Sequence, residues 1–419
     1  MTETTATRRR DPRVTATPEI PERPAESKTE RRELRAKKET DLGPLQLDLN
    51  LSVASEAGET AIWNPLDKQL SCIDAVLIRR VISSQGLSLP SYVATSELSY
   101  VVQGTGIQGA ILSGCSETRE RLNVGDFVAL PTGTINWIYN DGPEPLVLIS
   151  FRQGISKIHS LGGTSRLPNS INWLLQRYAA NNIFAGFDEE TLENIYKVDK
   201  VIVSKMQGQG DCRGQTVHVL DPSTMEQRDE RRQQFWRQQQ HRPSNNVCNI
   251  TFHIKGENPT NILVKNEGGT IYAVNGTHYP ILKRLQLSGT TGYDNNNTFA
   301  GLAMNPDAYS IIYGIRGNGR VQIVGNSPTP AYDGQLREGE MILLPQGCTT
   351  TTQGGKDGFK WVVFKTNSDP TLLFFSGRTS VMRGLSTGVL MNMYRINKDQ
   401  VEDLKGNWTE SGLYPPSRA

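Results

Sequence analysis

The residues that most directly suggest chemistry are the glycines of GTGIQG, which are Gly104, Gly106 and Gly109. Their G-x-G-x-x-G spacing is that of a dinucleotide-binding loop, in which a helix N-terminus holds the pyrophosphate. Here a segment with strand character follows the glycines, so no helix N-terminus is predicted for an anion. The pattern therefore favours tight turns between strands, and Gly317 and Gly319 repeat it in the second half.

Histidine and cysteine, which often bind metals or act as nucleophiles, are scattered along the chain. No C-x-x-C pair or short Cys/His cluster is present, which argues against a zinc site. No G-x-S-x-G, H-E-x-x-H or P-loop pattern occurs, so the sequence predicts no catalytic residue, no metal site and no cofactor. The residues concerned are His159, His218, His241, His253 and His278, and Cys72, Cys115, Cys212, Cys248 and Cys348.

One pattern of turn residues between apolar strands occurs twice, about 214 residues apart. The first copy is GDFVALPTGTINWIYN at 125–140, and the second is GEMILLPQGCTTTTQ at 339–353. Matching segments precede them, ELSYVVQGTG at 97–106 and SIIYGIRGNG at 310–319. A repeat of this length indicates a duplicated domain rather than a short-period solenoid.

Short apolar strands separated by Gly, Pro, Asn and Asp surround both copies, as in antiparallel barrels and sandwiches. Each strand region is followed by a helical region, at 167–198 in the first half and 384–405 in the second. In the first region Asp188 is predicted to cap a helix N-terminus. In the second, Asn397 and Gln400 match a capping box.

Composition divides the 419 residues into five segments. Residues 1–45 are rich in Thr, Pro, Glu and Arg and are predicted to form a disordered tail. Residues 46–200 are predicted to form the first barrel with its helical extension, and residues 201–247 a strand followed by a Gln- and Arg-rich linker. Residues 248–405 then form the second barrel with its extension, and residues 406–419 a C-terminal tail. Each barrel segment is long enough to bury its own core.

Charge and hydropathy narrow the set of partners. The 45 Lys and Arg residues nearly balance 43 Asp and Glu residues, and the net charge of +2 does not predict a nucleic-acid partner. The basic runs at 8–10 and 31–38 indicate a solvated tail, since Glu residues are interspersed with the second run. No segment approaches the ~18 apolar residues of a membrane span. The N-terminus has no apolar stretch typical of a signal peptide, so we expect either a cytosolic protein or a missing targeting segment.

Nine ordered segments between about residue 55 and residue 405 resemble the 11S, legumin-type seed storage globulins, which are plant bicupins. They include LIRRVISSQGLSLPSY, SELSYVVQGTGIQGAILSGCSET, GDFVALPTGTINWIYNDGPEPLV and SGRTSVMRGLSTGVLMNMYRI. The resemblance implies a mainly β fold with two tandem cupin barrels, which are double-stranded β-helices of the jelly-roll type, each followed by a small helical extension. It also implies trimers that stack into hexamers, a nutrient-reservoir role and deposition in protein storage vacuoles.

The resemblance also identifies positions that bind a metal in the metal-dependent cupins, where three histidines and one glutamate surround the ion. In this chain those positions hold Pro90, Tyr92, Glu97 and Asn136 in the first barrel, and Ala303, Asn305, Ser310 and Thr350 in the second. One carboxylate among eight positions cannot hold a transition metal tightly, so no enzymatic activity is expected. Glu97 is predicted instead to be a hydrogen-bonded residue at the mouth of the first barrel.

The resemblance further implies a disulfide bond between Cys115 and Cys248, the cysteines that match the pair joining the acidic and basic halves. Cys72 lacks its usual N-terminal partner, and Cys212 and Cys348 are expected to be unpaired. Relatives are cleaved after an Asn that precedes Gly, a position held here by His241. We therefore expect an uncleaved chain of 46.5 kDa.

Two alternatives stand beside a storage protein. The first is a cytosolic bicupin that binds a small ligand or regulates, because the signal peptide is absent and the tail is basic. The second is a metal-dependent oxygenase or isomerase, which the missing ligands disfavour. The storage interpretation predicts a homo-oligomer with no nucleic-acid, membrane or defined small-molecule partner.

Overall fold

The computed structural model describes residues 49–63, 68–112, 114–154, 183–226, 250–406 and 412–416. The predicted N-terminal tail at 1–45 and the linker residues 227–247 lie outside these ranges, as does the first half of the helical region at 167–198. Cys248 also lies outside them.

The first barrel consists of two antiparallel sheets whose apolar faces pack together. Its strands are β1 (Leu49–Ser55), β2 (Gly58–Trp63), β3 (Ala75–Ile82), β4 (Gly86–Tyr92), β5 (Glu97–Gln103), β6 (Gly106–Ile111), β7 (Thr118–Leu122), β8 (Asp126–Leu130), β9 (Ile135–Tyr139), β10 (Leu146–Gln153), β11 (Thr216–His218) and β12 (His253–Lys255). One sheet has the order β1-β2-β3-β10-β5-β8-β12, and the other has the order β11-β4-β9-β6-β7. Strand β12 begins the half assigned to the second barrel, yet it pairs with β8 of the first.

The second barrel is one continuous sheet of 11 strands, because two long strands bend through it. Its strands are β13 (Ile262–Asn266), β14 (Gly269–Val274), β15 (Ser288–Asp294), β16 (Phe299–Ala300), β17 (Ala303–Met304), β18 (Ser310–Val324), β19 (Tyr332–Arg337), β20 (Met341–Leu344), β21 (Thr349–Lys365), β22 (Leu373–Phe374) and β23 (Leu413–Tyr414). Register shifts near Gly314 and Gly317 interrupt the β18–β21 pairing. Such irregularities bend a strand and raise its twist, so one strand can serve both faces of a barrel.

Helices follow each barrel, as the sequence predicts. The helices of the described residues are α1 (Lys68–Cys72), α2 (Glu189–Tyr196), α3 (Lys200–Met206), α4 (Ser223–Glu226), α5 (Pro280–Leu285), α6 (Val381–Gly384), α7 (Thr387–Tyr394) and α8 (Lys398–Gly406), with 3₁₀ turns at Ile183–Gly186 and Pro259–Asn261. Of these, α1 and α5 lie between strands of the barrels, and the helical extensions contain α2 and α3 after the first barrel and α6, α7 and α8 after the second. Asp188 caps α2 by accepting a 2.7 Å hydrogen bond from the Thr191 amide. Asn397 and Gln400 exchange bonds of 2.8 and 3.0 Å before α8. Both predicted caps are therefore confirmed. Within the described ranges, no helix has the length and hydropathy needed to cross a membrane.

The largest apolar cluster joins the two barrels. It includes Trp63 and Phe151 of the first half and Tyr313 and Phe364 of the second. The rings of Phe151 and Phe364 are stacked, with centroids 5.9 Å apart and an interplanar angle of 15°. These two residues precede Arg152 and Lys365, so the same register position of each repeat forms the contact. The predicted fold class, two tandem jelly-roll barrels each with a helical extension, is confirmed.

Candidate functional site

The interior of the first barrel contains a buried cluster of charged and hydroxyl side chains around Glu97. Glu97 begins β5 and has no exposed surface. Arg80 of β3 donates to it at 3.0 Å, and Arg152, directly opposite on β10, donates at 2.5 Å. Ser99 donates a third bond at 2.8 Å and also contacts Ser150 at 2.7 Å. Both carboxylate oxygens of Glu97 are therefore engaged by protein donors.

The electrostatics of this cluster keep Glu97 ionised. Burial alone would raise the pKa of the Glu97 carboxyl, but the guanidinium groups of Arg152 and Arg80 outweigh burial and hold the pKa far below its ordinary value. The prediction that Glu97 is a hydrogen-bonded residue is confirmed, but its placement at the mouth of the barrel is wrong, since the side chain has no exposed surface. The side chain lies inside the barrel, because two arginines from neighbouring strands neutralise it there.

The other predicted ligand positions of the first barrel do not gather around Glu97. Pro90 is exposed, and Tyr92 has 61% of its surface exposed. Asn136 is buried on β9, opposite Ser91 of β4. These side chains cannot form a metal shell with a carboxylate that two arginines already hold.

In the second barrel, the corresponding positions line a cavity. Ala303, Asn305, Ser310 and Thr350 all border a space of about 110 Å³ with mainly apolar walls. Asn305 and Ser310 are buried, and the Thr350 hydroxyl donates to the Gln322 carbonyl at 3.1 Å. The structure therefore brings together the four second-barrel residues that the sequence comparison singled out. None of their side chains is a strong metal ligand.

Lys365 is the charged residue of this cavity, and the sequence analysis did not identify it. It ends β21, lies directly opposite Ser310 of β18, and is only 8% exposed. Its ammonium lies 3.5 Å from the Asn305 side-chain oxygen. Burial lowers the pKa of Lys365 to about 8, although Asp307 opposes this shift. Comparison of VLISFR with WVVFK in the two repeats could have found it, since Lys365 matches Arg152.

A second buried charged group, Asp294, ends β15. Its carboxylate accepts hydrogen bonds from Thr352 at 2.7 Å and from the Trp361 indole at 3.1 Å, both on the same oxygen. The other carboxylate oxygen is buried and has no hydrogen-bond partner. Burial raises the pKa of Asp294 from 3.8 to about 6, although the two hydrogen bonds lower it.

Replacement of Asp294 by Asn is expected to stabilise the protein at neutral pH. Because the folded-state pKa is raised, the folded state binds the proton more tightly, and wild-type stability falls as pH rises from 3.8 to about 6. A shift of this size corresponds to about 3 kcal/mol. In urea unfolding, the free energy of unfolding of Asp294→Asn should exceed that of the wild type by up to about 3 kcal/mol at pH 8 and by little at pH 3.5. The exposed Asp403→Asn serves as control, and equal gains at both pH values would contradict the prediction.

The glycines of GTGIQG allow a tight turn between strands and close packing, and they do not form a dinucleotide-binding loop. Gly104 has φ of 78° at the turn between β5 and β6, and its counterpart Gly317 has φ of 75°. Strand β6, not a helix, follows Gly106. A Cβ on Gly109 would lie 2.1 Å from the Trp137 ring, so this position requires glycine for packing.

The histidines and cysteines do not add a site. His253 contacts Asp126 at 2.7 Å and links β12 to β8, while His218 and His278 are exposed. His159 and His241 lie outside the described residues. Cys115 is disulfide-bonded, and Cys72, Cys212 and Cys348 are free. Within the described part of the chain, no group of three His, Cys, Asp or Glu side chains could hold a metal ion.

Comparison with known proteins identifies the family to which this architecture corresponds. The Cupin family model matches twice, at residues 46–202 and 254–402. Glutelin type-B 2 of Oryza sativa subsp. japonica is 30% identical over 87% of this chain and 84% of its own length. The 11S globulin seed storage protein Ana o 2.0101 of Anacardium occidentale is 29% identical over 86% of this chain and 89% of its own.

Solved structures agree with the sequence matches. The crystal structure of procruciferin, an 11S globulin from Brassica napus, superposes with a TM-score of 0.79 and 29% identity, covering 91% of this chain and 99% of that one. Pumpkin seed globulin gives a TM-score of 0.76 at 28% identity, covering 89% and 98%. The chain therefore belongs to the 11S, legumin-type seed storage globulins, which are bicupins of the cupin superfamily.

Proposed function

We propose that this protein is a nutrient reservoir of the seed, without catalytic activity and deposited in protein storage vacuoles. The observation that carries the proposal is its similarity to seed storage globulins over 87% of the chain. The barrel interiors support it, since the only carboxylate at a metal-ligand position, Glu97, is held by two arginines. A storage protein needs a stable fold and abundant synthesis, and it needs no reactive centre.

Abundance and fate in the seed test this proposal. A reservoir should be a major seed protein, should co-purify with protein storage vacuoles, and should be degraded as the seedling grows. Quantitative mass spectrometry of fractionated seeds and seedlings measures all three. A trace protein that persists through germination in the cytosolic fraction would contradict storage and favour the small-ligand-binding or regulatory alternative, for which the second-barrel cavity is the supporting observation.

We further propose that the helical extensions mediate assembly into trimers and hexamers. Large apolar side chains remain exposed on both extensions, which is typical of interaction surfaces. On α2 and α3 these include Ile195, Val201 and Ile202, and on α7 and α8 they include Val389, Met393 and Leu404. Contact between the first extension of one copy and the second extension of the next is a head-to-tail contact, which closes into a ring when the rotation fits three copies.

Disruption of these apolar faces should dissociate the assembly. Light scattering of wild type should give a mass three or six times that of the 46.5-kDa chain. The double variant Ile195→Glu/Met393→Glu should reduce the mass to that of one chain, because carboxylates would be buried in the contact without partners. Leu220, which is 98% exposed outside these helices, supplies the control Leu220→Glu. A monomeric wild type at micromolar concentration would contradict the assembly.

A further inference from the structure

The two barrels differ in the charges at one matched pair of positions on neighbouring strands. In the first barrel, register pairing sets Arg152 opposite Glu97, and the two side chains form an ion pair. In the second, the same register sets Lys365 opposite Ser310, which has no carboxylate. The duplicated fold therefore keeps a buried cation in each barrel, but among the described residues only the cation of the first barrel forms an ion pair. The buried carboxylate of the second barrel, Asp294, accepts hydrogen bonds from Thr352 and Trp361 instead.

The space around the cation differs in the same way. Arg80 pairs with Leu148 on β10, four residues before Arg152, and its side chain helps to fill the first barrel. The register equivalent in the second barrel is Gly292, which pairs with Trp361, four residues before Lys365. A glycine at this position contributes no side chain to the interior. The Trp361 ring occupies the space beside Gly292, where a Cβ would lie 2.6 Å from it, and a cavity of about 110 Å³ remains that Lys365 and Trp361 help to line.

The polar groups of the cavity are incompletely satisfied. Among the described residues, no carboxylate forms an ion pair with Lys365, and its one hydrogen bond, to Asn305, is 3.5 Å long. The Ser310 hydroxyl is buried and has no hydrogen-bond partner. A buried ammonium and a buried hydroxyl both gain free energy from an acceptor placed between them. A carboxylate supplies two such oxygens and the opposite charge.

The remaining walls favour a hydrocarbon group. They include Leu263, Ile271, Ile312, Leu344, Trp361 and Val363. An apolar cavity of roughly 150 Å³ accommodates benzene, so a cavity of about 110 Å³ fits a chain on the order of four to five carbon atoms. The apolar walls disfavour a second charged group on the ligand.

We propose that the second barrel binds a small apolar monocarboxylate, with its carboxylate held by Lys365 and Ser310 and its hydrocarbon chain against the apolar wall. The ligand carboxylate takes the place that Glu97 occupies in the first barrel. This proposal goes beyond the storage role and is independent of it, and it differs from the prediction that the protein has no defined small-molecule ligand.

Calorimetric titration of the full-length protein with butyrate and isovalerate tests the proposal. Each acid should bind at least about tenfold more tightly than its neutral counterpart, 1-butanol or isoamyl alcohol, because the alcohol lacks the charge-assisted hydrogen bonds. Saturating isovalerate should also raise the thermal midpoint of the wild type by mass action, and isoamyl alcohol should raise it less. Equal affinity for acid and alcohol, or no binding of either acid, would overturn the proposal.

Substitutions in the cavity test whether the acid binds in the second barrel. Lys365→Met keeps a side chain of similar length without charge, and it should weaken isovalerate binding at least about tenfold while alcohol binding persists. Ser310→Glu supplies the internal carboxylate of the first barrel and should abolish binding of the acid. Lys356→Met removes an exposed charge from the same strand and should leave binding unchanged. If Lys365→Met fails to fold, Ser310→Glu decides, and unchanged binding in a folded variant of either kind would overturn the proposal.

Discussion

Replacement of Glu97 by Gln is expected to lower the free energy of unfolding by about 3–5 kcal/mol at neutral pH, which is the usual cost of removing one partner from a buried ion pair. Glu97 is completely buried between Arg80 and Arg152, whose side chains are 14% and 12% exposed. The amide of Gln carries no charge, so both guanidinium groups would stay in the barrel without a counter-ion. Chemical denaturation monitored by circular dichroism measures the loss.

The same variant has a defined dependence on pH. The pKa of Glu97 is lowered in the folded state, so its stabilising contribution is fully present above the ordinary value of 4.5. Below 4.5 the unfolded chain takes up a proton that the folded chain rejects. The difference in free energy of unfolding between the wild type and Glu97→Gln should therefore become smaller as the pH falls towards 3.

Two controls separate the ion pair from a general effect of substitution. Glu402 is 65% exposed and lies 3.8 Å from Lys398, and Glu402→Gln should leave stability unchanged within error, as for most surface pairs. The double variant Glu97→Gln/Arg152→Met should recover part of the loss, because it removes one of the uncompensated cations. A Glu97→Gln protein as stable as wild type would show that the cluster does not stabilise the barrel.

The turns and helix caps were predictable because their signals are local, whereas the two cupin barrels were expected from the resemblance to the 11S globulins. The repeated Gly-x5-Pro-x-Gly pattern marks turns, and all four of its glycines, Gly125, Gly133, Gly339 and Gly347, have positive φ between 77° and 92°. The helix caps Asp188 and Asn397 are similarly set by residues three positions away. Local sequence patterns of this kind determine backbone conformation almost independently of the rest of the chain.

The interior sites were not predictable in the same way, because they depend on long-range register. Glu97 meets Arg80 and Arg152, which are 17 and 55 residues away. Lys365 was not predicted as a site residue, because a lysine at the end of a strand is usually exposed. Only the pairing of β18 with β21 places it opposite Ser310 inside the barrel. No catalytic or metal-binding motif includes this lysine, and only alignment of the two repeats, which matches Lys365 to Arg152, could have indicated it.

The disulfide bond that includes Cys115 is expected to have Cys248 as its partner and to stabilise the protein by about 4–5 kcal/mol. The pairing is proposed from the family pattern that joins the two halves. It would close a loop of about 130 residues, and cross-linking a loop of this length strongly restricts the unfolded chain. Cys115 packs against the apolar cluster of the first barrel, so its position in the folded state is fixed.

Single and double replacement by Ser test the partner as well as the energy. Cys115→Ser, Cys248→Ser and the double variant should lose the same amount of unfolding free energy, because each breaks one and the same bond. Reduction of the wild type should give a similar loss. Cys72→Ser and Cys212→Ser, which replace exposed free thiols, should leave stability unchanged. Peptide mapping without reduction should recover one cross-linked peptide that contains both cysteines.

The outcomes distinguish the pairing from its alternatives because each thiol is tested separately. If Cys115 were bonded to a cysteine of another chain, Cys248→Ser would leave the stability and the cross-linked peptide of the wild type intact. If the bond were present but strained, the peptide would be recovered while the loss on replacement fell well below about 4 kcal/mol, since native strain offsets the entropic gain. A full loss in both single variants, with no further loss in the double variant, requires a Cys115–Cys248 bond whose contribution matches the value of about 4–5 kcal/mol expected for a loop of this length.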